Sequence, residues 1–136
     1  MIAPGPPTRP RLGAGIGRWQ RRFGDAIDGL WVAARNDHSL RIHFLIAAVV
    51  VLLALVVQIE RWEWCVVILC IAGVISLELM NSAIERLVKT LHPEHHAGLA
   101  AALHMAAAAV LSAAIASIAV GAIVFVPSMV RLWLRL

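Results

Sequence analysis

Hydrophobic positions gather in three long runs that alternate with short polar stretches. The runs cover residues 40–59, 64–87 and 99–126, and each is near the roughly 20 residues that a helix needs to cross a bilayer. A long basic segment precedes the first run and no small-residue cleavage site follows it, so we do not expect a cleavable signal. The pattern predicts an all-α membrane protein with three transmembrane helices.

The segment 18–38, before the first run, has a different pattern. Phe23, Ile27, Leu30 and Trp31 recur at three- and four-residue steps, while charged residues fill the opposite face. This spacing predicts an amphipathic helix that lies on the membrane surface. A short soluble helix packed on a loop is the alternative, but the chain offers no other soluble core to receive it. Residues 1–17, rich in proline and glycine, are predicted to be a disordered basic tail.

Composition supports one membrane domain over residues 18–136. Of the 136 residues, 61% are hydrophobic and 15% charged, and the mean hydropathy is +0.84, which excludes an ordinary soluble domain. The net charge of +4 comes from basic residues beside the apolar runs, which favours lipid head groups over nucleic acid. Cys65 and Cys70 lie five residues apart in an apolar run and indicate neither a disulfide nor a zinc site.

The distribution of lysine and arginine predicts the orientation. Nine basic residues lie before or at the start of the first run or follow the second, and three lie on the opposite side. By the positive-inside rule, the N-terminus and the 85–98 loop face the cytoplasm of a cell inner membrane. The nine are Arg9, Arg11, Arg18, Arg21, Arg22, Arg35, Arg41, Arg86 and Lys89, and the three are Arg61, Arg131 and Arg135.

One polar stripe interrupts the second run. Glu78, Asn81, Ser82 and Glu85 are spaced at i, i+3, i+4 and i+7, which places them on one face of a helix. An ionised carboxylate at membrane depth costs several kcal/mol unless it is paired, metal-bound or wet, so the stripe is a candidate functional site. The alternative is a polar seam where helices of different subunits pack.

The residues around this stripe resemble the small three-span prokaryotic diacylglycerol kinase and undecaprenol kinase family. The similarity covers about residues 23–125, and its most specific piece is Glu78-x-x-Asn81-Ser82-Ala83-Ile84-Glu85. The other matching pieces are Ala26-x-x-Gly29-Leu30, Asn36-Asp37, Leu40-Arg41-Ile42-His43, Pro93-Glu94-x-His96 and the alanine-rich stretch from Ala102 to Val110.

The resemblance implies a homotrimeric lipid kinase that transfers the γ-phosphoryl group of ATP to a membrane lipid alcohol, with Mg²⁺ as cofactor. Glu78 would be the general base, Asn81 would orient the base or the phosphate, and Asp37 and Glu85 would hold the metal. The residues implied to bind the nucleotide are Arg18, Glu94, His96 and His104. Those implied to bind the lipid alcohol, either diacylglycerol or undecaprenol, are Ser39, Arg41 and His43.

Three positions depart from the family pattern. Lys89 replaces an aspartate, and Leu103 and His104 stand where the family has lysine and aspartate. These changes imply that part of the family's nucleotide pocket is lost. Lys89 could supply the missing positive charge from a different position. A member with an altered donor and a non-catalytic member of the same fold therefore remain alternatives.

Histidines offer further alternatives. His43 and His104 could be axial haem ligands in a respiratory membrane anchor, although an interfacial histidine in the kinase pattern is the simpler interpretation. His92, His95 and His96 could bind a soft metal, but Pro93 disrupts the helical spacing of the first pair. A small transporter is disfavoured, because its charges should lie near the middle of the membrane.

Overall fold

The computed structural model describes residues 16–91 and 97–134, and it contains four α-helices in this range. They are α1 (Ile16–Asn36), α2 (His38–Val57), α3 (Arg61–Leu91) and α4 (Ala97–Trp133). The chain divides into two compact units, Met1–Val32 and Ala33–Leu136, which we describe separately. The predicted tail lies outside the described residues, except that residues 16 and 17 belong to α1.

The first unit contains the greater part of α1. Its large apolar side chains are exposed, and those of Trp19, Phe23 and Ile27 are more than half exposed. They have the helical spacing expected of an amphipathic helix, and location of this helix on a membrane surface stays a prediction. The helix ends at Asn36, two residues before the predicted end at 38, because residue 37 leaves the helical conformation.

Asp37 separates α1 from α2. Its backbone is extended (φ −107°, ψ 116°), and its Oδ1 accepts hydrogen bonds from the backbone N–H groups of Ser39 and Leu40 at 3.0 and 3.4 Å. Aspartate is among the best residues for this N-cap position, since its short side chain reaches the otherwise unpaired amides of the first turn. Leu40, which follows, is fully buried. The helix α2 therefore begins at His38, two residues before the first apolar run.

Gln58 ends α2 and reverses the chain into α3. It has a left-handed backbone (φ 54°, ψ 55°), and its N–H donates to the carbonyl oxygen of Ala54. The predicted span continued to residue 59, whereas the helix ends at Val57. Ile59 lies outside the helix, and its apolar side chain packs into the core. The buried core residues are Ala54, Ile59, Val67 and Val124, and the partly buried residues packed against them are Val50, Trp64, Ile71, Val120 and Phe125.

Side chains at the start of α3 connect this helix to the end of α4. Glu63 is 3% exposed, and its Oε2 accepts a hydrogen bond from the backbone N–H of Glu60 at 2.6 Å. Its Oε1 lies 3.4 Å from Nη2 of Arg131, and the Ser128 hydroxyl, 1% exposed, lies between the two residues. We call Glu63, Ser128 and Arg131 the Glu63 cluster.

The Glu63 cluster explains why α4 is longer than predicted. The third span was predicted to end at about residue 126, and the next residue, Pro127, lacks the backbone N–H that a helix interior uses. The helix instead continues through Pro127 to Trp133. Ser128 and Arg131 attach the last turns to α3, which offsets the hydrogen bond that the proline removes.

The prediction of three helices long and apolar enough to cross a membrane is confirmed. They are longer at several ends than the apolar runs, since α3 and α4 continue into polar turns. No more than 22% of the most apolar window of any of the three is buried. Most of the apolar surface of a single chain is therefore left for lipid or for other copies of the chain.

Candidate active site

Glu78 lies in the second half of α3 and is 3% exposed. It shares a buried helix face with Val74 and Ser82, which are one turn before and one turn after it. Within residues 16–91 and 97–134, no hydrogen bond to its carboxyl group is found. The Glu78 carboxyl group is therefore a candidate acceptor for a hydrogen bond from a ligand.

A chain of polar contacts continues from Asn81 along α3. The Asn81 amide nitrogen donates to Glu85 Oε1 at 3.3 Å, and Lys89 Nζ lies 3.2 Å from Glu85 Oε2. Both oxygens of Glu85 therefore have a donor from the same helix. The Asn81 oxygen is buried and has no hydrogen-bond partner in the described part of the chain. It is a second candidate acceptor on the same face of α3 as Glu78.

Asp37 joins the stripe from the start of α2. Its Oδ2 accepts a hydrogen bond from the Ser82 hydroxyl, while its Oδ1 caps the helix. Burial raises the pKa of the Asp37 carboxyl, but the bonds from Ser82, Leu40 and Ser39 and the Arg86 charge outweigh it and hold the pKa below the ordinary 3.8. These bonds stabilise the fold above that ordinary value, and the contribution is lost as pH falls through the folded-state pKa.

The oxygens of this site suit a hard divalent cation better than a soft one. They come from carboxylates and an amide, which are ligands that Mg²⁺ prefers. Among the described residues, no three histidine, cysteine, aspartate or glutamate side chains converge to form a metal cage. Magnesium in kinases commonly takes only one or two protein carboxylates, and phosphate and water supply the rest. Asp37 and Glu85, the predicted metal ligands, would supply two carboxylates of this kind.

The residues predicted to bind the lipid alcohol lie in the first turns of α2. Ser39 and Arg41 are exposed, and His43 is half-buried, with its Nδ1 3.0 Å from the Ser39 carbonyl oxygen. His43 also borders an apolar cavity of about 300 Å³ between α2, α3 and α4, together with Ala47, Val74, Ile75 and Ser117. Since Val74 is one turn from Glu78, the cavity approaches the polar stripe.

The predicted nucleotide contacts, Arg18, Glu94, His96 and His104, stay predictions. Glu94 and His96 lie outside the described residues. His104 is exposed near the start of α4, and Arg18 is exposed on α1 in the other compact unit. What the structure brings together is therefore Asp37 with the face of α3 that carries Glu78, Asn81, Ser82 and Glu85.

Two features of the site were not predicted from the sequence. Ser82 was placed on the stripe but given no role, although its hydroxyl bonds the predicted metal ligand. Asp37 was given a metal role, while its position just before an apolar run is itself a signal for an N-cap. The pairing of Ser82 with Asp37 had no sequence signal, because the two residues are 45 positions apart.

Comparisons with known proteins agree with the motif. The family model described as prokaryotic diacylglycerol kinase matches residues 24–125, which is most of the folded chain. The undecaprenol kinase of Bacillus subtilis (strain 168) is 33% identical over 114 residues, covering 84% of this chain and 93% of that enzyme. The polar stripe, α2, α3 and the greater part of α4 lie inside the matched range.

Proposed function

The chain belongs to the prokaryotic diacylglycerol kinase family, and we propose that it transfers the γ-phosphoryl group of ATP to the hydroxyl of a membrane lipid alcohol. The reaction would take place at the cytoplasmic face of the cell inner membrane. The observation that carries the proposal is Glu78, a buried carboxyl group without a donor among the described residues, on a helix long and apolar enough to cross a membrane.

Glu78 is the proposed general base. A carboxylate in this position accepts the hydrogen of the lipid hydroxyl and takes its proton as the oxygen attacks phosphorus. The orphan oxygen of Asn81, three residues further along α3, is suited to accept a hydrogen bond from the same ligand. Transfer of a phosphoryl group needs mainly correct positioning and neutralisation of charge, so a small site of this kind is sufficient.

Asp37 and Glu85 are the proposed ligands of Mg²⁺. The metal, when bound, neutralises negative charge on the phosphates and stabilises the charge that develops during transfer. The Lys89 ammonium group competes with the metal for Glu85. Their ion pair is largely exposed, with 72% of the Lys89 and 42% of the Glu85 side chain accessible, and such pairs are weak. The highly charged triphosphate is therefore able to compete for Lys89.

Undecaprenol is the first lipid to test, because the related Bacillus enzyme carries that name and is matched over almost its whole length. The experiment is transfer of radiolabelled phosphate from γ-labelled ATP in detergent micelles, with undecaprenol and diacylglycerol offered separately. We expect labelled undecaprenyl phosphate to form faster than labelled phosphatidic acid. Equal label in both products, or label in phosphatidic acid alone, would contradict the choice of lipid.

The Lys89–Glu85 ion pair favours an altered or inactive nucleotide site as the second candidate. In this case Lys89 would hold Glu85 permanently, and the protein would keep the fold without turnover. Absence of label in both lipids, at saturating ATP and Mg²⁺ and with a folded protein, would support this candidate and contradict the first.

A further inference from the structure

The Ser82 hydroxyl connects two helices at the centre of the proposed site. The side chain is 5% exposed, and its Oγ donates to Oδ2 of Asp37. No other side-chain hydrogen bond between α2 or its N-cap and α3 is found in the described part of the chain. This contact therefore fixes how far the start of α2 lies from the polar face of α3.

Asp37 has few acceptor sites left once its contacts are counted. A carboxylate offers about four lone-pair sites on its two oxygens. Oδ1 accepts from the backbone N–H groups of Ser39 and Leu40, and Oδ2 accepts from Ser82. One site remains, on Oδ2, and its direction is set by the bond from Ser82, because Oδ1 is held by the helix.

We propose that Ser82 is a positioning residue that aims the remaining acceptor site of Asp37 at the metal–nucleotide complex. This rests on the proposed function in one respect, namely that Asp37 is a ligand of that metal. Without the hydroxyl, Oδ2 loses its fixed partner and the carboxylate can turn about the capping oxygen. The cation would then meet a mobile ligand, and ordering this ligand would weaken binding.

Binding of Mn²⁺ in place of Mg²⁺ tests this proposal without any need for turnover. Electron paramagnetic resonance measures free Mn²⁺ in titrations of the detergent-solubilised full chain with a non-hydrolysable ATP analogue. We expect Ser82→Ala to raise the Mn²⁺ concentration for half-saturation by about tenfold, the usual scale for a hydrogen bond to a charged group. Ser82→Thr, which keeps the hydroxyl, should restore binding, and Ser76→Ala on an exposed face of α3 is the matched control.

A double-variant cycle separates positioning from general damage. Asp37→Asn keeps the cap but removes the charge, so it should weaken Mn²⁺ binding by itself. If Ser82 acts through Asp37, adding Ser82→Ala to Asp37→Asn should produce little further loss. Additive losses, an unchanged half-saturation in Ser82→Ala, or no Mn²⁺ binding by the wild-type chain would overturn the proposal.

The same variants keep this proposal separate from the proposed function. Suppose that the wild-type protein labels no lipid, and that Ser82→Ala binds Mn²⁺ more weakly than the wild type does. This pair of results would support the positioning role and contradict the kinase activity. Robust lipid labelling by the wild type, together with unchanged Mn²⁺ binding in Ser82→Ala, would support the kinase activity and contradict the positioning role. Thermal unfolding of each variant confirms that a folded protein was titrated.

Discussion

At the scale of single residues, Glu78 stands out because it is a carboxyl group buried on a largely apolar helix. We expect Glu78→Gln to reduce lipid phosphorylation by about 10²–10⁴-fold, since the amide keeps the shape but cannot accept the proton. The measurement is initial rate of label transfer at saturating ATP and lipid. Glu60→Gln, an exposed carboxylate at the other end of the α2–α3 pair, is the control and should keep near-wild-type rates. Similar rates in both variants would remove Glu78 from the role of base.

Lys89 provides a second test at this scale. If the triphosphate draws it away from Glu85, Lys89→Met should raise KM for ATP about tenfold with a smaller change in kcat, and Lys89→Arg should largely preserve KM. In that case Leu103→Lys combined with His104→Asp should add little, because the phosphate contact is already made. Equal ATP kinetics in Lys89→Met and the wild type would show that Lys89 remains with Glu85.

Chemical modification of amines can measure directly whether Lys89 moves from Glu85 to the triphosphate, because Lys89 is the only lysine in the sequence. An amine-reactive reagent should modify Lys89 more slowly when the ATP analogue and Mg²⁺ are present. The N-terminal amine, modified in the same reaction, is the internal reference. A labelling rate that nucleotide does not change would contradict the predicted contact.

The sequence was a good guide to which residues are polar inside apolar runs, and a poor guide to what they touch. Periodicity placed Glu78, Asn81, Ser82 and Glu85 on one face because helix geometry alone decides it. The bond between Ser82 and Asp37 depends on how α2 packs against α3, which no local pattern encodes. The Glu63 cluster was missed for the same reason, since Glu63 and Arg131 are 68 positions apart.

At the scale of elements, the Glu63 cluster connects the last turns of α4 to the start of α3. Arg131→Met would leave Glu63 buried and without its cationic partner. We expect a loss of roughly 1–3 kcal/mol in the free energy of unfolding, below the full effect of a buried pair because 43% of the Arg131 side chain is accessible. Thermal or denaturant unfolding in detergent measures it.

Two further variants make that result specific. Arg61→Met removes an exposed arginine from the same end of the helices and should have little effect. Glu63→Gln combined with Arg131→Met removes both charges and should be less damaging than Arg131→Met alone. If the double variant is the less stable of the two, the loss comes from packing rather than from an unpaired carboxylate.

The helix ends illustrate what apolar runs can and cannot predict. The existence of three long helices followed from composition, because lipid requires every backbone group to be paired inside the segment. Their ends followed from polar contacts instead. Asp37 begins α2, Gln58 ends it with a left-handed backbone, and α4 passes Pro127. Hydropathy along the sequence does not predict any of these three features.

At the scale of the whole molecule, the exposed apolar surface supports assembly. We predict a homotrimer, with a mass of three times 14.7 kDa after correction for bound detergent. Light scattering coupled to size-exclusion chromatography measures this mass. A single-chain mass in a preparation that phosphorylates lipid would show that one copy of the chain is sufficient.

The short length of α2 makes the protein sensitive to hydrophobic mismatch. Its 20 residues rise about 30 Å, the thickness of an average hydrocarbon layer, while α3 has 31 residues and α4 has 37. Both ends of α2 are fixed, by Asp37 with Ser82 and by the left-handed Gln58, so it cannot lengthen in a thicker bilayer. The membrane must thin around it, or the Asp37 contact must stretch, at a cost of fractions of a kcal/mol per Å. In vesicles of increasing acyl-chain length, phosphorylation should therefore be fastest near a 30 Å layer and fall as the layer thickens.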